Sequence, residues 1–242
     1  MDEKPRRTDF GRLFLEGVLI VVSILLAFGI EAWWVRSREH AAEIEALQHL
    51  RDEFTATAER LAQTGERHES IRRSAKRLLG MTGPTPPAHL DTLAVDSLVM
   101  DLLGAPTVEP ETVTLDALVG AGRLDLLSSP ELRRELASWS SAMADLAQEE
   151  QLAIAQMDQR FLPLIWDHVP VVTLGVTALA DEYGHNEPSR FPRRYAELFQ
   201  ERRFENAVEE RMNSSRRSVR DLRRVEGIVQ RIVQLIDREL SR

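Results

Sequence analysis

LFLEGVLIVVSILLAFGIEAWWV, running from Leu13 to Val35, is the stretch whose reading decides the fold. Residues 17–30, between Glu16 and Glu31, carry no charge. As a helix, 23 residues span about 35 Å, and a bilayer's hydrocarbon core is roughly 30 Å thick. Trp33 and Trp34 close the run, where indole rings favour the membrane–water boundary. The stretch predicts a transmembrane helix over 13–35, and everything after it is polar, charged and periodic.

Working outward, the preceding flank carries Lys4, Arg6, Arg7 and Arg12, and the following one Arg36 and Arg38. The more basic flank stays inside, so residues 1–12 are expected as a basic cytoplasmic tail and 36–242 as an extramembrane domain outside. In a Gram-negative cell this means the inner membrane, with the body in the periplasm. Two targeting readings compete. Ala27-Phe28-Gly29 has the small-x-small form of a signal-peptide cleavage site, but Glu31, Trp33 and Trp34 follow as an interfacial anchor. Arg6-Arg7 invites a twin-arginine reading that the next residues, Thr8, Asp9 and Phe10, fit poorly.

The chain has 242 residues, a formal net charge of −8 and no cysteine. Disulfides, thiolate metal sites and cysteine nucleophiles are thereby excluded. Overall acidity argues against nucleic acid, whose phosphates require concentrated positive charge. Scarce glycine and abundant Arg, Glu, Leu and Ala favour helix.

From Glu39 the pattern is helical. Ile44, Leu47, Phe54, Leu61, Ile71 and Leu78 recur near multiples of three and four, with Ala58, Gly65, His68 and Ala75 filling the seam. No proline lies between Pro5 and Pro84, so the membrane helix and this one are expected as a single rod or with a break near Gly65. Pro84, Pro86 and Pro87 stop it. A short helix follows, capped by Asp91 or Thr92, with Leu93, Leu98, Leu102 and Leu103 on its buried side. Another follows Thr112 or Thr114 and ends at Gly120 or Gly122. Ser129, Pro130 and Glu131 supply the N-cap, first position and dipole partner of a long helix. Its periodic residues run through Leu132, Leu136, Trp139, Leu146 and Phe161, and Pro163 kinks or ends it. The apolar run 171–180 is too short to cross a bilayer and reads as a buried loop or short helix. Helical periodicity returns from Tyr195 through Val208, Leu222, Val229, Ile236 and Leu240. The fold class expected is all-α: one N-terminal transmembrane helix, then an elongated antiparallel bundle of about three long helices, with coiled-coil-like seams and short helices between.

Charge is uneven. Residues 84–160 hold 13 Asp and Glu against 4 Arg, and residues 187–242 hold 14 Arg against 10 acids. Packing one against the other satisfies both. An arginine face for an anionic lipid or an acidic partner is the alternative.

Within the apolar run, Glu16, Ile20, Ser23, Ala27, Glu31 and Trp34 fall on one face of a helix. Ser23 and Ala27 have the spacing that lets two helices approach closely, and ionisable groups near a membrane mark function or headgroup contact. This face is the candidate membrane-helix association site. His40 with Glu43, and His49 with Asp52, are spaced to share a helix face. No His-x-x-x-His pair is present, and a metal site needs three or more ligands, so no metal or cofactor is expected. Trp166-Asp167-His168 reads as structural, because no nucleophile, Walker or glycine-rich phosphate motif accompanies it.

The combination of Glu16, the apolar run, Glu31 and Trp34 with a central block of Thr114, Leu118, Gly122, Leu124, Leu126, Leu132 and Arg133 resembles a family of bacterial single-pass membrane proteins known only as a domain of unknown function. The resemblance covers about half the chain, in two blocks. It implies membrane anchorage and an α-helical body, and it implies no activity.

Function is therefore expected to lie in interaction: a membrane-anchored scaffold, assembly factor or accessory subunit, as a homo-oligomer or with another membrane protein. The runner-up is an extracytoplasmic ligand-sensing helical module that signals through a partner. An enzyme has no motif behind it.

Overall fold

The computed structural model describes residues 10–178 and 189–242. The basic residues Lys4, Arg6 and Arg7, the side chain of Arg12, and Gly184, His185 and Pro188 lie outside the described residues. Every regular element described is helical. In chain order these are α1 (Phe10–Leu79), α2 (Thr92–Leu103), α3 (Val113–Gly120), a 3-10 turn (Leu124–Leu126), α4 (Pro130–Gln156), a π turn (Met157–Phe161), α5 (Leu162–His168), α6 (Val171–Ala178), α7 (Tyr195–Phe199) and α8 (Arg202–Leu240).

α1 is a single helix of 70 residues, about 105 Å long, unbroken at Gly65. It is the one described helix long and apolar enough to cross a membrane. Its described side chains up to residue 41 are exposed, among them Phe14 at 73% and Trp33 at 63%. From Ala46 onward the same helix joins the body. Leu47, Leu50, Phe54, Thr57, Leu61, Thr64, His68, Ile71, Ala75 and Leu78 are all buried, at alternating steps of three and four. Ile44 is exposed, and Ala58 and Gly65 are half-buried beside the seam rather than in it. The 3.5-residue average of that spacing keeps one stripe of α1 facing its neighbours.

α8 carries the matching stripe: Phe204, Val208, Arg211, Ser215, Ser218, Leu222, Val225, Val229, Ile232 and Ile236 are buried at the same alternation. α8 runs opposite to both α1 and α4. Arg51 pairs with Asp237 at 2.7 Å, whereas the Gly83 N–H donates to the Phe199 carbonyl just before α8 begins. Towards α4, Glu135 meets Arg231, Asp145 meets Arg224, and Arg160 meets Glu210. The first two set acids of the middle segment against arginines of the C-terminal helix, and the third reverses the sense. Being exposed, each contributes at most about 1 kcal/mol.

Burial divides into two apolar cores. The proximal core, nearer the exposed apolar part of α1, joins Leu47, Leu50, Phe54 and Leu61 to Leu132, Leu136, Trp139 and Leu146 of α4 and to Leu222–Ile236 of α8. Phe54 and Trp139 meet edge to face at 5.2 Å. The distal core joins Ile71, Ala75 and Leu78 to α2, α5, α7 and the start of α8. Phe161, Phe204, Phe199 and Tyr195 stack in a row there, with successive centroids 5.7–5.9 Å apart.

Local signals explain the joints. Asp91 caps α2 by accepting from the Leu93 and Ala94 N–H groups, while Leu93 itself is exposed rather than on the buried side. Thr112 stands before α3 but donates to Asp116 instead of capping the backbone. Gly122, at φ +65°, takes the left-handed turn after α3, where a side chain is disfavoured. Ser129 and Pro130 start α4 as expected. Pro163 falls in the first turn of α5, after the π turn. The helix widens to a π turn just before the proline that withholds its N–H, and the helical run continues to His168 instead of ending. Only eight residues of the 171–180 run are described as helix, α6; Val171 and Val172 are exposed, and Thr173 and Leu174 are buried.

Candidate functional site

The association face read from the sequence stands on one regular helix. Glu16, Ile20, Ser23, Ala27, Glu31 and Trp34 are all exposed, and no other described element packs on them. They share a face without converging on a point. The Ser23 hydroxyl donates to the Leu19 carbonyl one turn back at 2.8 Å, so its polar atom is satisfied inside the helix. Trp33 and Trp34 meet edge to face at 6.3 Å, and the Arg38 guanidinium lies 5.4 Å from the Trp34 ring centre. A cation stacked on an indole at the end of an apolar run suits the headgroup level.

A second constellation is buried between the two apolar cores, where the seam positions change character. On α1 they become Thr64 and His68; on α4, Glu150; on α8, Arg211, Ser215 and Ser218. Three of these long helices thus turn a polar or ionisable side chain inward at mid-height. Their common neighbour is the connection between α2 and α3, residues 104–112, which crosses the body here. Arg211 Nε donates to the Leu102 carbonyl at 3.0 Å, and its Nη2 donates to the Gly104 carbonyl. Glu150 Oε1 accepts from the Val108 N–H at 3.0 Å. Arg60 Nη1 donates to the Glu109 carbonyl at 2.9 Å and also pairs with Glu111. Beyond the connection, Glu53 accepts from the Thr114 N–H at 2.6 Å.

Arg211 is 4% exposed and forms no ion pair among the described residues. Its positive charge rests on two peptide carbonyls, and burial lowers its pKa to about 10. His68 is 3% exposed, and neither ring nitrogen has a hydrogen-bond partner of acceptable geometry. Burial, helped by the charge of Arg211, lowers its pKa to about 4; the nearby Pro106 carbonyl opposes this weakly. Burial raises Glu150, the Val108 N–H pulls it back down, and Glu109 adds to the rise. The Ser215 hydroxyl and Gln156 Oε1 are likewise buried without a partner. Two open clefts flank the connection. One, of about 540 Å³, is lined by Arg60, Thr64, Arg67 and Glu111; the other, of about 350 Å³, by Arg67, Ser70, Asp101 and Pro106.

The remaining polar clusters fasten segments. Asp96, fully buried on α2, accepts from the Tyr195 hydroxyl and pairs with Arg193 at 3.0 Å, which ties α7 to α2. Burial raises the Tyr195 pKa, and its bond to Asp96 raises it further. His168 lies 3.0 Å from Glu201, and its carbonyl accepts from the Arg194 N–H, while Trp166 is 61% exposed. His40 lies 3.9 Å from Glu43, on the same face as the spacing requires. Among the described residues no three His, Asp or Glu side chains gather as a metal-binding group.

The polar layer was not singled out from sequence. Its residues are the ones an apolar-periodicity reading skips. The signal is present all the same: extending the Leu47–Leu50–Phe54 register in strict steps of three and four lands on Thr57, Thr64 and His68. Comparison with family models, with curated proteins and with solved structures yields no match.

Proposed function

We propose that the chain is a single-pass membrane protein of the bacterial inner membrane, with residues 1–12 cytoplasmic and 36–242 a periplasmic helical bundle with coiled-coil seams. Its role in this reading is that of a scaffold or accessory subunit. The observation that carries it is α1: one helix whose described apolar side chains are bare up to Val35, and whose continuation from Ala46 is the spine of the body. A helix continuous across the interface fixes the body at a set height and orientation, which suits a part that holds something else in place. The resemblance to the bacterial single-pass family of unknown function agrees with anchorage. The face of Glu16, Ile20, Ser23, Ala27, Glu31 and Trp34 is the proposed contact with a second copy or with another membrane protein.

Affinity purification of the full chain in mild detergent tests this. The expected result is co-purification of itself or of an integral membrane protein, weakened by Glu16→Gln, Ser23→Leu or Glu31→Gln. Association untouched by all three removes the proposed face. A periplasm-active reporter joined after Arg242 should be active, and inactivity reverses the orientation.

The ligand-sensing reading has one observation in its favour, the two clefts beside the polar layer. It predicts a thermal shift with a small polar molecule, abolished by Arg67→Ala.

A further inference from the structure

We propose that residues 104–112 form an acid-released strap: protonating His68 beneath it sets a second cation beside Arg211 in a closed layer and frees the strap from the long helices. This holds for either orientation in the membrane and for either functional reading.

The strap is held by few and unusual contacts. It has no regular structure of its own, and two prolines, Pro106 and Pro110, withhold N–H groups along it. Its buried polar attachments are two, Arg211 to the Gly104 carbonyl, beside the bond to Leu102 at the end of α2, and Glu150 to the Val108 N–H; its one buried apolar anchor is the Val108 side chain, which reaches the proximal core. Both fasteners are ionisable groups that lose water in the closed form. Arg211 is neutralised by no carboxylate among the described residues, so the layer already holds one uncompensated cation. His68 sits in that layer with neither ring nitrogen in a hydrogen bond of acceptable geometry, and the Pro106 carbonyl of the strap only weakly favours its charged form. A neutral imidazole is tolerated there; an imidazolium would need two acceptors and would face Arg211.

Charged groups on the neighbouring elements are Arg211 on α8, Glu150 on α4, Asp101 on α2, and Glu109 and Glu111 in the strap, the last paired with Arg60. Asp101 is occupied by the Ser70 and Ser74 hydroxyls, and Glu150 by the Val108 N–H. Of these, Arg211 is the one whose charge bears on His68, and it acts against protonation. Lifting the strap admits water to both cations and restores the imidazole towards its ordinary value of 6.5. Acid therefore favours the lifted form, since only there does the proton bind readily.

Hydrogen exchange on the full chain in nanodiscs, corrected for the intrinsic pH dependence of exchange, tests the strap. Between pH 7 and pH 4.5 the amides of residues 105–112 should gain roughly 50-fold in opening, given the two His68 values. Amides of Val225–Ile236 in the proximal core should not follow. His68→Gln should remove the gain, and Glu150→Gln, which keeps an acceptor for the Val108 N–H but removes a carboxyl that opposes opening in acid, should keep or enlarge it. An unchanged strap in the parent chain, a gain shared equally by the core, or a gain lost in Glu150→Gln and kept in His68→Gln overturns the proposal. Should His68→Gln fail to fold, imidazole NMR of the parent chain decides. His68 must titrate with the same midpoint as strap exchange, and an imidazole still neutral when the strap has opened overturns it.

Discussion

At His68 a single side chain couples the stability of the body to pH. Its closed-state value of about 4, against 6.5 in solvent, corresponds to roughly 3 kcal/mol. The folded value is the lower one, so the stabilisation is complete above 6.5 and is lost as pH falls from 6.5 to 4. Glu150 works in the opposite sense. Its carboxyl is raised above 4.5, so its contribution is present below 4.5 and is lost as pH rises through the folded value. Urea unfolding of the parent chain and of His68→Gln at pH 7 and pH 4.5 separates the two. The stability gap between the proteins should move by about 2–3 kcal/mol in favour of the variant at the lower pH. A gap that does not move with pH means that the imidazole stays neutral in both states. Arg211 illustrates the same scale. Its immediate neighbours, Glu210 and Met212, do not distinguish it from the solvated arginines further along α8, but its place on the register of Val208 and Ser215 does, and it alone among that helix's arginines is buried.

At the scale of elements, punctuation residues carried most of the information. Asp91, Ser129 and Pro130 do what their types require, because a cap depends on the four or five residues around it and on little else. Gly122 is the joint where this can be tested. At φ +65° a Cβ meets no neighbour, so Gly122→Ala should cost about 1 kcal/mol from backbone strain alone, read as a lowered urea midpoint with an unchanged slope. A larger loss would mean that the turn itself had moved. Thr112 and Pro163 were less legible. Thr112 has a side-chain partner in Asp116 that competes with the backbone, and the helix around Pro163 widened instead of ending. Both outcomes depend on what surrounds the residue. Gly65 makes the same point from the other side: a glycine in the middle of α1 is tolerated because the helix is held along its length by α8.

For the whole molecule, the two cores separated by a polar layer set how the body should respond to damage. Trp139 and Phe54 meet in the proximal core, where α1 and α4 both lean on α8. Trp139→Ala should cost about 3–5 kcal/mol, and Phe54→Ala a similar amount. Because they share one contact, the double variant should lose less than the sum, by about 1 kcal/mol. Strict additivity in a double-mutant cycle by urea unfolding would show that the ring contact contributes nothing beyond burial.

The sequence by itself determined the helical class, the apolar helix at the N-terminal end, most caps, and the apolar members of the seams. All of these follow from local chemistry or from periodicity along one chain segment. Tertiary structure alone decided that the polar residues on those registers meet in one layer. Thr64, His68, Glu150, Arg211 and Ser215 come from three helices far apart in sequence, and each is an ordinary surface residue type in its own helix. Their burial results from the antiparallel register of α8 against α1 and α4, which brings them to one height, and residues 104–112 supply the backbone groups that Glu150 and Arg211 bind. A charge's environment is a sum over everything around it, and that sum exists only once the helices have met.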